Sequence, residues 1–259
     1  ARVSQRISDL ELYLGLRLVN RTTRSLKLTQ EGEEYFVKCQ RILQDIEELE
    51  GSIKGNLVQP RGQIRVEALV SVARWLIAPH IQEFKIRYPE INLHLGSSDS
   101  IRHLLEDRID CTIRGGDLDD SSMIARLLCS VRIGLYASPA YVVNKGNPIH
   151  PEQLVNHSLI SWFRGNRNPF SWYLEREKAS FEMVFKTGYQ FDDPDVAIAA
   201  CMAGNGICPG VPFAVESWVK SGALIPILPE WSFEARPIHI IYSNSKYLSA
   251  RVRCFIDWM

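Results

Sequence analysis

Hydrophobic and polar positions in the first thirty residues predict a helix followed by a short hairpin. Apolar side chains recur at spacings of four, three and four residues, at Val3, Ile7, Leu10 and Leu14. This is the period of an amphipathic helix. Gly15 follows directly, where a helix-ending glycine is expected. Residues 16–19 and 25–28 then alternate apolar with polar, so they predict two short strands around a basic, hydroxyl-rich tip.

A second, longer helix is predicted from Thr29 to about Gly55. Thr29 suits the N-cap position, and three glutamates follow in the first turn, where the helix dipole favours them. A narrow apolar stripe continues through the segment at Tyr35, Cys39, Ile42, Ile46, Leu49 and Ile53. Such a heptad pattern favours contact with a second copy of the same helix. The alternative is that the stripe packs on its own domain.

The remainder of the chain predicts an α/β body. The run Pro60-Arg61-Gly62 breaks the helix and marks the best domain boundary. Strand and helix patterns then alternate, which is typical of a largely parallel sheet covered by helices. The predicted strands are 63–68, 91–96, 111–114, 124–129, 132–137, 158–162, 183–191, 207–208, 223–227 and 237–243, and the predicted helices are 72–88, 100–107, 139–144, 194–203, 212–220 and 248–258.

Two strands with no helix between them suggest that this body has two lobes. Segments 124–129 and 132–137 adjoin directly, so the chain is expected to cross from one lobe to a second one there. A return near residues 231–237 closes the second lobe and leaves a cleft between the two.

Basic residues are concentrated at the start of the chain, although its net charge is zero. Residues 1–30 carry six basic and two acidic side chains, whereas residues 31–57 carry three basic and seven acidic ones. A basic head on a neutral body is typical of a polyanion-binding element attached to a regulatory or enzymatic module. The polar face of the first helix presents side chains that reach phosphates and base edges. A chance fluctuation of charge, with an ordinary polar tip on the hairpin, is the alternative.

Composition excludes several classes of protein. With 46% hydrophobic and 23% charged residues, the chain is an ordinary globular one and not a disordered or fibrous one. Its longest apolar run, 197–203, is far shorter than the roughly 18 residues that cross a bilayer. The six cysteines lie far apart without CxxC spacing and without a secretory leader, which argues against structural zinc and for reduced thiols in the cytoplasm.

The sequence presents no catalytic, metal-binding or cofactor-binding motif. HExxH, GxSxG and the phosphate-binding P-loop pattern are absent. Gly204-Asn205-Gly206 follows a helix pattern and therefore predicts a turn. Cys201 and Cys208 flank it and are either a redox pair or two small buried hydrophobes. The second interpretation is favoured because no basic neighbour lowers the pKa of either thiol. We expect no catalysis, no cofactor and no metal.

The order of motifs along the chain resembles the LysR-type transcriptional regulators. RVSQRISDLE at 2–11, LGLRLVNRTTR at 14–24 and LTQEG at 28–32 are similar to the DNA-binding end of that family. Weaker motifs follow in the family's order at 79–89, 110–115, 137–141, 204–207 and 224–228. The resemblance implies an α/β fold class: a two-lobe Rossmann-like effector domain of the type 2 periplasmic-binding-protein architecture, preceded by a partial winged helix-turn-helix and a long linker helix.

The resemblance implies three parts. Residues 1–29 are a partial winged helix-turn-helix DNA-binding domain (recognition helix and wing), 30–57 the linker and dimerisation helix, and 62–259 the effector-binding domain. Lobe I is expected at about 62–130 and 236–259, and lobe II at about 131–235. Family members carry about forty further residues before the recognition helix, so we expect two more helices to precede this sequence.

The resemblance also assigns site residues. DNA contacts fall on Arg2, Val3, Ser4, Arg6, Arg21, Thr22, Thr23 and Arg24, and dimerisation falls on the apolar stripe from Tyr35 to Ile53. The effector cleft falls on Ser71, Val72, Ser98, Asp99, Arg114, Trp162, Asp193 and Val196. Ser71 and Arg114 suit a carboxylate, Trp162 a flat or apolar body, and Asp193 a hydroxyl or amine. The alternatives are a helix N-cap for Ser71, a surface ion pair for Arg114 and a cap of the following helix for Asp193.

These expectations combine into a homodimeric or homotetrameric transcriptional regulator in the cytoplasm. It is expected to bind double-stranded operator DNA and a small effector, expected to be an organic acid. Binding of the effector shifts the lobes and thereby the spacing of two DNA-reading heads. A solute-binding protein of the same two-lobe fold is the alternative, against which the basic head, the heptad helix and the missing leader argue. An enzyme of this fold, such as a porphobilinogen-deaminase-like chain, needs a catalytic constellation that the sequence does not present.

Overall fold

The computed structural model describes residues 2–21, 26–53, 60–99, 109–116, 123–162, 171–184, 188–243 and 248–259. Its internal contacts divide the chain into two compact units, Ala1–Gly62 and Gln63–Met259. Among the described residues, no helix combines the length and the apolar character that crossing a membrane requires.

The first unit is a helix, a two-stranded hairpin and a long helix. These are α1 (Arg2–Leu14), β1 (Val19–Arg21), β2 (Leu26–Leu28) and α2 (Gln30–Ile53), with β1 and β2 antiparallel. Gly15, at φ +69°, ends α1 in the left-handed conformation that glycine adopts without strain. The Glu11 carboxylate then accepts hydrogen bonds from the backbone N–H groups of Leu18 and Val19, at 2.8 and 2.9 Å. This carboxylate ties the hairpin to α1.

Thr29 joins the hairpin to α2. Its hydroxyl donates to the carbonyl of Arg17 at 2.7 Å and accepts from the N–H of Gly32 at 2.9 Å. The second bond is that of a helix N-cap, which satisfies a free N–H in the first helical turn. The start of the helix at Gln30 therefore follows from the cap that the sequence predicts.

The apolar stripe of α1 is not buried by the residues that the structure describes. None of the α1 side chains is buried, and Val3 is 72% exposed. The spacing thus predicts the helix correctly, while its apolar face stays uncovered within the described residues.

The second unit contains thirteen strands and six helices among its described residues. The strands are β3 (Gly62–Ala68), β4 (Ile91–Ser97), β5 (Cys111–Gly115), β6 (Met123–Val131), β7 (Gly134–Ala137), β8 (Ile160–Trp162), β9 (Ser171–Arg176), β10 (Ala179–Val184), β11 (Tyr189–Phe191), β12 (Cys208–Gly210), β13 (Ile225–Ile227), β14 (Ser232–Phe233) and β15 (Arg236–Ser243). The helices are α3 (Val70–Val72), α4 (Ile81–Arg87), α5 (Pro139–Lys145), α6 (Pro194–Met202), α7 (Pro212–Lys220) and α8 (Ala250–Trp258), with short 3-10 turns at Ala78–His80 and Pro151–Asn156 and a π-helical turn at Ala73–Ile77.

We call the part built on the five-stranded sheet lobe I. Its strand order is β4-β3-β5-β15-β6, with β3 parallel to β5 and β15 antiparallel to both of its neighbours. Alternate residues of β3, namely Ile64, Val66 and Ala68, face a core that also contains Phe84 of α4 and Phe255 of α8. The sheet thus buries one face under helices, as a period-two pattern requires.

The part from β7 to β14 is lobe II. Three small sheets build it, in the orders β12-β7-β13, β11-β8 and β10-β9-β14. A bridge between Leu159 and Ile207 connects the β8 segment to the β12 segment. Two clusters of buried side chains, around Trp172 and around Cys201, fill the lobe.

The expectation of largely parallel sheets is wrong. Only β3–β5 and β8–β11 are parallel among the pairs whose register the described residues give, whereas β7 and β15 are antiparallel to both of their neighbours. The reason is the crossing between lobes, because β6 runs directly into β7 and the chain returns through β15. Parallel neighbours in a sheet need a crossover connection, which is usually a helix. A strand that enters the sheet directly from the other lobe has no such connection, and β7 and β15 accordingly pair antiparallel with their neighbours.

Two predicted elements differ in detail, and a third falls outside the described residues. The strand predicted at 183–191 is two strands, since β10 ends at Val184 and β11 pairs in another sheet. The helix predicted at 72–88 changes to π and 3-10 turns before α4, and Pro79 lies in this irregular stretch. Proline has no N–H for the carbonyl four residues earlier, which prevents regular α-helix there. The helix predicted at 100–107 lies outside the described residues.

Candidate functional site

The predicted cleft residues of lobe I gather where two parallel strands end. β3 and β5 are neighbours that run in the same direction, so α3 begins at the sheet edge where Arg114 closes β5. Ligands of α/β proteins bind at such carboxyl edges. Val72 is buried in the lobe I core, whereas Ser71 is half-buried at its surface.

Asp99 and Ser98 organise this edge through backbone contacts. The N–H of Val70 donates to Asp99 Oδ1 at 3.2 Å. The N–H of Ser98 donates to the carbonyl of Ala68 at 3.0 Å, and the Ser98 carbonyl accepts from Arg114 Nη1 at 2.8 Å. Asp99 therefore occupies the first N–H of α3, and Arg114 is held in place by Ser98.

Ser71 does not cap the helix. Leu69 lies at the N-cap of α3 and makes no side-chain capping bond. Within the described residues, the Ser71 hydroxyl has no hydrogen-bond partner. A half-buried hydroxyl without a partner next to Asp99 and Arg114 is a donor that a ligand can use.

The lobe II residues lie at the corresponding edge of its parallel pair. Trp162 ends β8 opposite Phe191 of β11, and its side chain lies outside the described part. Asp193, two residues after Phe191, caps α6: its Oδ1 accepts a hydrogen bond from the N–H of Asp195 at 2.7 Å. Val196, in the first turn of α6, is 47% exposed. Asp193 is thus engaged as a helix cap, which is the alternative that the sequence left open.

A contact between the lobes lies beside these residues and was not predicted from the sequence. Asp195 of α6 places Oδ2 2.5 Å from Nη1 of Arg74 and Oδ1 3.4 Å from Nε1 of Trp75. The Trp75 ring packs edge-on against Trp218 of α7, with centroids 5.2 Å apart. We call Arg74, Trp75, Asp195 and Trp218 the interlobe latch.

The latch is electrostatically asymmetric. The Asp195 side chain is 13% exposed and that of Arg74 is 53% exposed. Water therefore solvates the guanidinium, whereas the charge of the carboxylate is stabilised mainly by Arg74 and Trp75. Arg74 and Trp75 lie in the π-helical turn that continues from α3. Such irregular turns are frequent at functional sites. In the sequence, Arg74 and Trp75 follow Ser71-Val72-Ala73, but no local signal connects them to Asp195.

The predicted DNA-contacting residues are exposed on α1. Arg2, Val3, Ser4 and Arg6 all face solvent, and Gln5 Nε2 donates to Asp9 Oδ1 along the same helix at 2.9 Å. Arg21 ends β1, with its side chain outside the described part. Thr22, Thr23 and Arg24 lie outside the described residues altogether.

The predicted dimerisation stripe lies on α2. Ile42 and Ile46 are 58% and 45% exposed, and Tyr35 and Cys39 are half-buried. Leu49 and Ile53 belong to the same helix, but their side chains are outside the described part. Exposed isoleucines at helical spacing leave an apolar stripe for a partner helix.

Cys201 and Cys208 are buried thiols. Cys201 Sγ donates to the carbonyl of Tyr136 at 3.3 Å, and Cys208 Sγ donates to that of Pro209 at 3.2 Å. Burial raises the pKa of Cys201 to about 12 and raises that of Cys208 well above its ordinary value. Both remain thiols at neutral pH, and thiolates are the reactive form. The described residues contain no cluster of His, Cys, Asp and Glu that suits a metal ion.

Comparison with known proteins gives matches over the whole chain. Residues 58–259 match the LysR substrate binding domain, and residues 1–33 match the bacterial regulatory helix-turn-helix protein, lysR family. A helix-turn-helix transcriptional repressor of Pseudomonas aeruginosa is 56% identical over 100% of this chain and 82% of its own. The solved structure of CrgA, a LysR-type transcriptional regulator from Neisseria meningitidis, is 32% identical, with a TM-score of 0.70 over 99% of this chain and 87% of its own.

A second full-length structure aligns equally well. AphB, a virulence activator of Vibrio cholerae, is 29% identical, with a TM-score of 0.69 over 99% of this chain and 88% of its own. The full-length alignments thus include the helix-turn-helix end and the two-lobe body together. The relatives are transcriptional regulators and not solute-binding proteins of transport.

Proposed function

The chain belongs to the LysR family of bacterial transcriptional regulators, and we propose that its two-lobe domain senses a small organic anion in the cleft beside Ser71 and Arg114. The observation that carries this proposal is the Ser71 hydroxyl, half-buried and without a partner in the described chain, at the sheet edge where β5 ends just after Arg114. A guanidinium and a hydroxyl converging on one edge suit a carboxylate.

The lobe II side of the proposed cleft limits the ligand to one negative charge. Asp193 and Asp195 both lie at the start of α6, so a second carboxylate facing them is repelled. A hydroxyl or amine at that end is accepted instead. The family resemblance assigns Trp162 to this cleft, and we propose on that ground a ligand with a flat or apolar body.

The interlobe latch supplies a route from ligand to DNA. Arg74 and Trp75 follow Ser71 within one helical turn and a half, so a ligand that moves α3 also moves the donors of Asp195. A ligand shifts such an equilibrium by the difference in its affinity for the two lobe arrangements. We propose that the effector alters the lobes through this contact and thereby the DNA-binding heads.

The remaining parts of the proposal concern assembly and DNA. The exposed stripe of α2 pairs two copies, so that two copies of α1 read two half-sites. Arg2, Ser4 and Arg6 of α1 reach base edges and phosphates, while Arg21, Thr22, Thr23 and Arg24 contact the backbone or minor groove. Because its target is chromosomal DNA, the regulator acts in the bacterial cytoplasm.

A thermal-shift screen of organic acids tests the ligand class. A ligand at a hundredfold excess over its dissociation constant stabilises the folded state by about 2.7 kcal/mol. We expect mono-anions with an aromatic or apolar body to raise the melting temperature, and amines and sugars to leave it unchanged. A screen in which only amines or sugars stabilise the protein contradicts the anion proposal.

The double variant Ser71→Ala, Arg114→Ala is the matched test of position. It should abolish each stabilising shift while the melting temperature without ligand stays within a few degrees of wild type. Val143→Ala, at an exposed position of α5 in lobe II, is the control and should keep the full shift. Equal shifts in the double variant and the wild type place the ligand elsewhere.

A further inference from the structure

A cavity of about 370 Å³ lies on lobe I, away from the proposed cleft. Six of the residues that line it are Arg65, Glu67, His94, Leu95, Gly96 and Ile109, and none of them is a cleft or latch residue. Its volume is within the 300–1,000 Å³ of typical small-molecule sites.

Glu67 is the unusual member of this cavity. It is 6% exposed, although glutamate is almost never buried without a partner. Within the described chain, its carboxylate has neither a hydrogen bond nor an ion pair. A buried carboxylate without a cation or donor is costly. The position therefore calls for a cationic group inside the cavity.

The sheet explains how the carboxylate reaches the cavity. Glu67 lies on β3, and Gly96 on the neighbouring β4 has no side chain to cover it. A Cβ atom added at position 96 would collide with Oε2 of Glu67. The glycine thus provides the space that the carboxylate occupies.

A second unpartnered polar atom lies next to Glu67. Thr112 on β5 is its register partner. Thr112 is 3% exposed, and its Oγ1 atom is buried without a hydrogen-bond partner among the described residues. The Thr112 hydroxyl is thus unsatisfied beside the Glu67 carboxylate, whereas buried polar groups in native proteins are normally paired.

Arg65 supplies the opposite charge. It precedes Glu67 by two residues on β3, so both side chains lie on the same face of the sheet, about 6.6 Å apart along the strand. Ile109 adds apolar lining and His94 adds an imidazole, whereas the Leu95 side chain packs into the lobe I core on the other face of the sheet. A ligand that matches this set carries an ammonium for Glu67, a carboxylate for Arg65 and a small apolar body.

We propose that this cavity is a second ligand site, which binds a small apolar α-amino acid. The ammonium lies against Glu67 and the carboxylate against the Arg65 guanidinium, a planar donor set that matches a carboxylate. The apolar side chain of the ligand lies against Ile109. An α-amino acid carries its ammonium and its carboxylate on the same carbon. Glu67 and Arg65, which are neighbours on one face of β3, can therefore bind the two groups at the same time.

Isothermal titration of the whole chain tests the proposal, with L-alanine, L-valine and L-leucine as probes. L-leucine methyl ester keeps the ammonium alone, and N-acetyl-L-leucine keeps the carboxylate alone. We expect at least one free amino acid to bind, and both derivatives of leucine to bind at least tenfold more weakly than leucine. Absence of binding by all three amino acids, or an ester that binds as tightly as leucine, overturns the proposal.

Two variants locate the site. Glu67→Gln keeps the shape and removes the charge, and Gly96→Ala keeps the charge and displaces the carboxylate. Each should weaken binding at least tenfold. Ser71→Ala is the control and should bind amino acids as the wild type does. Wild-type binding by Glu67→Gln, or loss of binding in Ser71→Ala alone, overturns the proposal.

Discussion

Arg74 of lobe I and Asp195 of lobe II form an ion pair of 2.5 Å across the two lobes. The carboxylate also accepts from the Trp75 indole at 3.4 Å, so both of its oxygens are engaged. Since the carboxylate is largely buried and the guanidinium half-exposed, loss of Arg74 leaves a poorly solvated charge. This pair is a described polar contact between the two lobes, and we propose that a movement of α3 reaches lobe II through it.

A double-mutant cycle measures the strength of this pair. Arg74→Ala, Asp195→Ala and the double variant should show a coupling energy of about 0.5–3 kcal/mol in urea unfolding, the range for contacting residues in one network. The control is Lys220 with Glu216, an exposed i,i+4 pair of α7, for which about 0.3–0.5 kcal/mol is expected. A coupling at Arg74–Asp195 no larger than the control contradicts the latch.

Substitution of Ile46 by glutamate tests the dimerisation stripe. Because Ile46 is exposed on α2, Ile46→Glu should leave the chain folded, but it places a charge in each copy of the stripe and should cost several kcal/mol of association. Analytical ultracentrifugation should then show monomers at concentrations where the wild type is dimeric. Val143→Glu, on exposed α5, should remain dimeric. A fully dimeric Ile46→Glu variant is incompatible with the stripe as the dimer contact.

Arginine substitutions in the hairpin test the DNA-binding head. In the chain extended to the length of its relatives, Arg21→Ala with Arg24→Ala should weaken binding to duplexes selected by the protein from a random library. The slope of log affinity against log salt should fall by about two units, because two phosphate contacts are lost. Ser4→Ala should instead change which sequences are selected. An unchanged salt slope and an unchanged selected sequence rule out the assignment.

His157 makes lobe II sensitive to acid. Burial, followed by the nearby Lys145, lowers the pKa of His157 below 6.5, and its Nδ1 lies 3.1 Å from the Tyr141 hydroxyl. As pH falls below 6.5, the unfolded chain takes up this proton first, so stability present at pH 7.5 is lost. Urea unfolding should therefore show a smaller difference between pH 7.5 and 5 in His157→Gln than in the wild type. An equal or larger difference contradicts this role.

The parts of the fold that local patterns determine were predictable. The 3.6-residue period of α1, the Thr29 cap of α2 and the Asp193 cap of α6 are all properties of a few neighbouring residues. Each lies within one or two residues of its predicted place. Local signals of this kind survive tertiary packing because capping and periodicity act within one element.

The hairpin β9–β10 was missed because its turn lacks the usual residues. Glu177, with φ +51°, adopts the left-handed conformation at a position where glycine or asparagine is expected. The apolar residues Trp172 and Leu174 do alternate with other residues in the sequence. No turn residue after them, however, indicated that one strand ends and a second begins.

The latch and the Glu67 cavity could not be predicted because they join elements far apart in sequence. Arg74 and Asp195 are 121 positions apart, and Glu67 shares its cavity with a strand that follows a complete helix. No period or motif links such positions in a single sequence. The antiparallel pairing of β7 and β15 could not be predicted for the same reason. It depends on where the chain crosses between the lobes, and no local pattern shows this.

The most direct test of the account is the linkage between effector and DNA. An organic acid identified in the screen should change the affinity of the extended chain for its selected duplex by at least fivefold, and the duplex should change the affinity for the acid by the same factor, because coupling is reciprocal. Fluorescence anisotropy measures the first factor and calorimetry the second. We predict that both factors fall to one in the Ser71→Ala, Arg114→Ala variant. A duplex affinity that stays constant in the wild type at saturating acid contradicts effector control through this cleft.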